Sequence, residues 1–103
     1  MERIEKLKEL LRLDPADSFV QHALALEYIK LGDDQFAKKI FEELLDREPN
    51  YVGSYYHLAK LHERLGNESA AITVYETGMK IATQVGDKHA FNELRAAHDE
   101  LIF

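Results

Sequence analysis

The sequence contains no cysteine and only two prolines and five glycines among its 103 residues. Without cysteine the chain can form neither a disulfide nor a thiolate metal site, although this absence does not by itself identify a compartment. No run of about 18 apolar residues occurs, which excludes a membrane-spanning helix. The remaining composition, with 46% hydrophobic and 31% charged residues, is ordinary for a globular chain, and the length fits one domain.

Positive charge is scarce as well, with 13 Lys and Arg against 19 Asp and Glu and a formal net charge of −6. Nucleic acids and anionic membranes both need a basic stripe on the protein, so neither is expected as a partner. The segment from Met1 to Lys6 lacks the apolar core of a signal peptide, which predicts a cytoplasmic protein.

One stretch of the chain recurs after 34 residues. The recurring pairs combine small and large residues at fixed offsets: Leu24 with Leu58, Ala25 with Ala59, Gly32 with Gly66, Asp33 with Asn67, Ala37 with Ala71, Phe41 with Tyr75 and, as the weakest match, Tyr28 with His62. Self-similarity at a fixed period of this size indicates a helical solenoid.

These residues resemble the tetratricopeptide repeat family, whose pattern is an aromatic residue, Leu-Gly/Ala, Tyr, Ala-x3-aromatic and a closing Pro. Two positions depart from that pattern. Gln21 stands where Tyr55 supplies the leading aromatic, and Thr83 stands where Pro49 closes the first repeat. The resemblance implies an all-α fold, a right-handed solenoid of helical hairpins with six helices here.

Apolar periodicity and the spacing of Gly and Pro predict helices over residues 2–13, 17–31, 34–47, 52–65, 68–83 and 88–102. Gly32 and Gly66 are expected to end their helices in the left-handed conformation. The predicted organisation is a single domain, with an N-terminal half repeat at residues 1–15, repeat one at 18–51, repeat two at 52–85 and a C-terminal capping helix at 88–102.

Two residues inside the predicted helices break the repeat pattern. Gly78 costs about 1 kcal/mol relative to alanine in a helix interior, which close approach of the next helix would explain. Arg95 stands where Ala59 lies in the second repeat, and a bulky charged residue there predicts that no further helix packs against it. Together with Asp99 and Glu100, Arg95 would supply the polar outer face of a capping helix.

The chain offers little for catalysis. Its five histidines are the most suggestive residues, yet no two of them are spaced i, i+4 as in a zincin helix: His22, His57, His62, His89 and His98. His62 and His98 fall on the core side, where packing between helices is favoured over metal binding. Adjacent acidic residues do not face each other on a helix. We therefore expect no enzymatic activity, no cofactor and no metal site.

The side of each first helix that lies opposite the core is the candidate functional site. The helix predicted over residues 18–31 is apolar both on its core side and on the opposite side. A helix that only covers the surface of a core would be apolar on one side. By resemblance to the family, this side lines the concave groove that binds peptide segments of partner proteins. The predicted groove residues are Phe19, His22, Leu26, Ile29, Tyr56, Lys60 and Asn92. The alternative is that Leu26 and Ile29 are ordinary core, packed against the neighbouring first helix.

Some family members grip the C-terminal carboxylate of a partner with Lys and Asn in this groove. The corresponding positions here hold His22, Leu26, His57, His89 and Glu93. Leu26 cannot donate a hydrogen bond, and Glu93 would repel a carboxylate. Binding of chaperone tails is therefore not expected.

Two functions of different classes remain open. The first is a non-catalytic scaffold that binds a segment of another protein, with Phe19, Leu26 and Tyr56 as apolar anchors. The second is structural: the exposed apolar side is buried in a weak homodimer or against further repeats of a larger assembly. The apolar Leu101, Ile102 and Phe103 would suit the second function.

The repeat register can be tested by enlarging the small residues that recur. We expect the helices to touch most closely at Ala25, Ala37, Ala59 and Ala71, so that Ala59→Leu or Ala71→Leu overpacks the interior. Each substitution should lower the free energy of unfolding by about 1–3 kcal/mol. Thermal melting measures the loss, and an enlarged variant that melts at the wild-type temperature contradicts the register.

Overall fold

The computed structural model describes residues 2–103, and these form six α-helices: α1 Glu2–Leu13, α2 Ser18–Lys30, α3 Asp34–Arg47, α4 Gly53–Arg64, α5 Glu68–Val85 and α6 Lys88–Ile102. The all-α prediction is confirmed, and the bounds of α1, α3 and α6 are those expected. The main difference is α5, which continues two residues beyond its expected end at Thr83. It continues because Gly86, with φ 77°, supplies the left-handed ending.

The contacts between helices divide the chain into two units, Met1–Glu48 and Pro49–Phe103. In the first unit, α2 lies against both α1 and α3. In the second unit, α5 lies against α4 and α6, and α4 also contacts α6. That the chain is a single domain stays a prediction.

No helix within residues 2–103 combines the length and the apolar character that crossing a bilayer requires.

Each unit has an apolar core that includes the recurring Leu, Ala and aromatic residues of helices α2 to α5. The first unit buries Ile4, Leu7, Leu24, Ala25, Ala37, Phe41 and Leu44, and the second buries Tyr55, Leu58, Ala59, Leu61, Ala71, Tyr75, Ala82 and Leu94. The four alanines at the predicted close contacts, Ala25, Ala37, Ala59 and Ala71, are all 0% exposed. His62 and His98 are also buried, as their places on the core side predict.

One kind of turn ends α2, α4 and α5, in each case with a glycine at φ between 77° and 82°. At the end of α2, the N–H of Gly32 donates to Ile29 O and the N–H of Asp33 donates to Tyr28 O, the paired pattern of a Schellman motif. Asp33 also begins α3, because its carboxylate accepts from the N–H of Phe36 at 3.2 Å. One aspartate therefore ends one helix and begins the next, which keeps the hairpin short.

Gly78 lies at a point of α5 where no side chain fits. A Cβ atom there would be 2.7 Å from Tyr55 Cβ in α4 and 2.9 Å from Leu94 Cδ1 in α6. The predicted close approach is confirmed, with one difference. The atoms that approach Gly78 belong to side chains of the preceding and the following helix, rather than to the backbone of the next helix alone.

Gly78→Ala should destabilise the protein, because the gain in helix propensity of about 1 kcal/mol is outweighed by contacts that force Tyr55 or Leu94 to move. Overpacking of this kind costs about 1–3 kcal/mol, which urea unfolding measures. Gly53→Ala is the matched control, since a Cβ at Gly53 in α4 meets nothing within 4 Å. The control should be neutral or stabilising, and equal effects of the two substitutions would contradict the packing described for Gly78.

Candidate functional site

Helix α2 of the first unit is apolar on two sides. One side is buried through Val20, Leu24 and Ala25. On the other side Phe19 is 71% exposed, while Leu26 and Ile29 are half-buried. A side chain as large as Phe19 gains little from folding at this exposure, so the folding of α2 by itself gives no reason for an aromatic residue there.

His22, on the same helix, is tied to the core of the first unit. Its ring meets the fully buried ring of Phe41 edge to face, with 5.5 Å between the ring centroids. This arrangement is favourable for aromatic pairs and limits the orientations that the imidazole can take. The ring nitrogens of His22 are therefore held in a half-buried position by the contact with Phe41.

The second unit places Tyr56 and Lys60 of α4 together. Tyr56 is half-buried, with its ring edge to face against His57 at 5.5 Å between centroids. The Nζ of Lys60 lies 5.7 Å from the centroid of the Tyr56 ring, within reach of a cation–π contact. Lys60 also forms an ion pair with Glu63 at 3.6 Å. The aromatic ring of Tyr56 therefore lies beside the ammonium group of Lys60, which is positioned by both Tyr56 and Glu63.

Glu63 links this surface to the core, a role that the sequence pattern did not reveal. Its carboxylate accepts a hydrogen bond from the hydroxyl of Tyr75, which is fully buried in α5. Burial, reinforced by this bond to Glu63, raises the pKa of Tyr75, so its hydroxyl stays a donor at neutral pH. The only sequence signal for this bond is an acid on one helix followed by a buried aromatic on the next. Using that signal requires knowing which helices pack together.

His57 lies where a cation would be needed to grip a carboxylate in the manner of some family members. Burial lowers the pKa of His57, the nearby Glu93 raises it in part, and Arg64 lowers it further. The lowered pKa leaves the imidazole uncharged at neutral pH. The position therefore lacks the positive charge that carboxylate binding uses.

Asn92, the remaining predicted groove residue, is exposed on α6. It lines a cavity of about 280 Å³ between the end of α5 and the start of α6. The lining is Ala82, Thr83, Gly86, Asp87, Lys88, Phe91 and Asn92. Of these only Asn92 was predicted as a site residue. The sequence signal for an irregular junction here is that α6 aligns with the first helix of a repeat only if two residues are inserted before it.

His98 has a carboxylate partner at each of its ring nitrogens, and one of these bonds joins α6 to α5. Nε2 lies 3.1 Å from a carboxylate oxygen of Glu76, and Nδ1 lies 3.1 Å from one of Asp99. Asp99 in turn pairs with Arg95 at 3.6 Å. The hydrogen bond to Asp99, with that to Glu76, raises the pKa of His98 against the opposing effect of burial.

In residues 2–103 the His, Asp and Glu side chains form no cluster of three or more with the geometry to hold a metal ion. The arrangement offers apolar and aromatic surfaces with a few oriented polar groups, which is the chemistry of recognition.

The chain belongs to the tetratricopeptide repeat family. The model of that repeat matches residues 20–51 and 52–84, which lie within the two full repeats predicted from the sequence.

Similar proteins agree with this assignment. A tetratricopeptide repeat domain protein from Salinibacter ruber is 40% identical, with a TM-score of 0.82 over 86% of this chain and 90% of that chain. The TPR2B domain of yeast Sti1, solved as a complex with pHsp70, is 15% identical and shares the fold, with a TM-score of 0.88 over 95% of this chain and 78% of that chain.

A curated relative, the aspartyl/asparaginyl beta-hydroxylase of Mus musculus, is 41% identical over 74 residues, which are 72% of this chain and 10% of that protein. The chain spans only 10–24% of the length of the curated relatives that it matches. The likeness to these proteins therefore establishes a shared repeat and no shared activity.

The pairing of His98 should make stability depend on pH. Its folded pKa is raised, so the protonated side chain contributes stability that is fully present below the unfolded value of about 6.5 and is lost as pH rises through the folded pKa. Between about pH 6 and pH 8, the wild-type protein should therefore lose more free energy of unfolding than His98→Gln does, as measured by urea unfolding.

Two features isolate the effect of His98. His57, whose lowered pKa gives the opposite dependence, is present in both proteins and cancels from the difference. His89→Gln is the matched control, because His89 is exposed on the same helix. If His98→Gln keeps the full wild-type pH dependence, the bonds to Glu76 and Asp99 do not stabilise the folded state.

Proposed function

We propose that this protein is a non-catalytic module that binds a segment of a partner protein. The family commonly mediates protein–protein interactions. The observation that carries the proposal for this chain is the second apolar side of α2, where Phe19 is 71% exposed next to the half-buried Leu26 and Ile29. An apolar patch on the surface of a protein marks a place where something binds.

Each unit contributes its own contacts in this proposal. In the first unit Phe19, Leu26 and Ile29 act as apolar anchors, and His22 orients a polar group of the partner. In the second unit Tyr56 acts as the aromatic anchor, with Lys60 beside it, and Asn92 provides an amide on α6. Interfaces concentrate their binding energy in a few aromatic and cationic residues of this kind.

The nature of the partner follows from the chemistry of these residues. The uncharged His57 and the carboxylate of Glu93 favour an apolar segment over a C-terminal carboxylate, unlike a clamp of Lys and Asn. With a net charge of −6, nucleic acid and anionic membranes are disfavoured. A cytoplasmic location stays a prediction from the sequence. The TPR2B domain of yeast Sti1 was solved in complex with pHsp70. For this chain, His57 and Glu93 favour an apolar segment as the bound partner instead of a C-terminal carboxylate.

Phe19→Ala and Tyr56→Ala test the proposal. A peptide selected from a displayed library on the full chain serves as the probe, and calorimetric titration measures its affinity for each variant. Each substitution should weaken binding about 30-fold or more, the effect of losing an aromatic hot spot. Because Phe19 is mostly exposed, its substitution should leave thermal melting nearly unchanged. Truncation of a buried core aromatic would instead cost about 3–5 kcal/mol of stability.

Leu13→Ala is the matched control, since Leu13 is 78% exposed on α1 and lies outside the proposed surface. It should change neither the affinity nor the melting temperature. If both aromatic variants melt much lower while the peptide binds as before, Phe19 and Tyr56 belong to the core and the proposed surface is wrong.

A further inference from the structure

Helix α6 is covered by its own unit on one side only. Leu94, Ala97 and His98 are buried on the side that faces α5 and α4. Arg95 and Ile102 are exposed at the edge of that side, because Ile102 lies about one turn after His98. At 3.6 residues per turn, Ile102 lies within about 20° of Phe91 around the helix axis, so both ends of α6 present apolar atoms along one stripe.

The first end of this stripe is the cavity between α5 and α6, which we call the socket: Ala82, Thr83, Gly86, Asp87, Lys88, Phe91 and Asn92. Its volume of about 280 Å³ exceeds the roughly 150 Å³ that suffices to bind a benzene molecule in a protein interior. The polar groups of the turn are already satisfied. Asp87 N–H donates to Ala82 O, and the Asp87 carboxylate accepts from the N–H of Ala90 at 2.9 Å. What the socket offers to a ligand is therefore mainly apolar.

The second end of the stripe is a pair of exposed apolar side chains, which we call the plug: Ile102, 43% exposed, and Phe103, 95% exposed. A phenyl ring at that exposure gains almost nothing from its own unit, while burial of such a ring in an apolar site is favourable. The plug has the size and apolar character that the socket accepts.

We propose that the socket of one copy binds the plug of a second copy, with the two α6 helices antiparallel about a two-fold axis. Lys88 and Phe103 are 15 residues apart, which is about 22 Å along a helix, so the plug cannot reach the socket of its own chain while α6 is helical. In the antiparallel arrangement each plug meets the partner's socket, and one interface contains the contact twice. Such an interface closes on itself and stops at a dimer.

Charge favours the same arrangement. The start of α6 carries Lys88 next to the N-cap Asp87, and its end carries Asp99. Among residues 2–103 no carboxylate pairs with Lys88. Antiparallel packing brings Lys88 of each helix next to Asp99 of the other, and it also opposes the two helix dipoles. A parallel arrangement would place Lys88 beside Lys88 and Asp99 beside Asp99.

The proposed dimer is weak. Two plugs and one pair of short helices bury less surface than the roughly 1,200 Å² typical of a stable interface. The dimer therefore forms only as the protein concentration rises. The socket shares only Asn92 with the surface of the proposed function. The inference does not depend on that function, because the socket and the plug include none of its anchors, Phe19, Leu26, Ile29 or Tyr56.

Sedimentation velocity of the full chain, up to about 1 mM protein, tests the proposal. The wild type should shift from monomer to dimer with concentration and form nothing larger. The combined substitution Ile102→Ala and Phe103→Ala removes the plug and should weaken association about 30-fold or more. Thr83→Trp fills the socket from an exposed position and should have the same effect. Lys88→Glu should weaken association roughly fivefold, and less at high salt.

Mixing the variants gives the sharpest result. The plug-deleted chain and the Thr83→Trp chain should each sediment as monomers, yet associate with each other, because one intact plug then meets one intact socket. Lys80→Glu is the matched control for Lys88→Glu, since Lys80 is exposed on α5 outside the socket. Unchanged circular dichroism melting shows that each variant is folded.

Several outcomes overturn the proposal. The wild type could remain a monomer at every concentration, or associate equally well without the plug or with the socket filled. Failure of the two complementary variants to associate while the wild type dimerises would show that plug and socket do not meet. Binding of a library peptide at the socket of a chain that stays monomeric would assign the socket to another protein.

Discussion

Close packing of helices at residues without large side chains is the constraint on which this structure depends. Ala25 and Ala37 in the first unit, and Ala59 and Ala71 in the second, have no exposed surface. Protein interiors are packed at crystal-like density, so a larger side chain at such a point must displace a helix. Gly78 is the extreme case, because even a methyl group there would overlap Tyr55. The helices within each unit can pack this closely only because these positions are small.

The turns between these helices are short and need few residues. A glycine in the left-handed region ends α2, α4 and α5, and the next residue begins the following helix. Because Asp33 and Asp87 accept hydrogen bonds from the first turn of α3 and α6, the polar groups at two hairpin bends are satisfied without further residues. The side chains opposite the packed sides are then free to differ from one repeat to the next.

The side chains opposite the core are what distinguish this protein from other members of its family. On the side opposite the core, α2 carries Phe19 and Leu26, whereas α4 carries Tyr56 and Lys60. The fold is shared with proteins as distant as the TPR2B domain of yeast Sti1, at 15% identity, but the groups that would recognise a partner are not prescribed by the fold. Glu63 shows how such a surface is held, since it pairs with Lys60 and accepts from the buried Tyr75.

The sequence by itself determined the repeat, the six helices, most of their bounds and the buried alanines, because these depend on periodicity and on local turn chemistry. It also marked His62 and His98 as core-facing. Only the tertiary structure decided what depends on which helices touch: the reach of α5 to Val85, the bond between Glu63 and Tyr75, the pairing of His98 with Glu76, and the socket beside Phe91. Contacts between residues far apart in sequence leave no periodic signal, so they appear only when the helices are placed together.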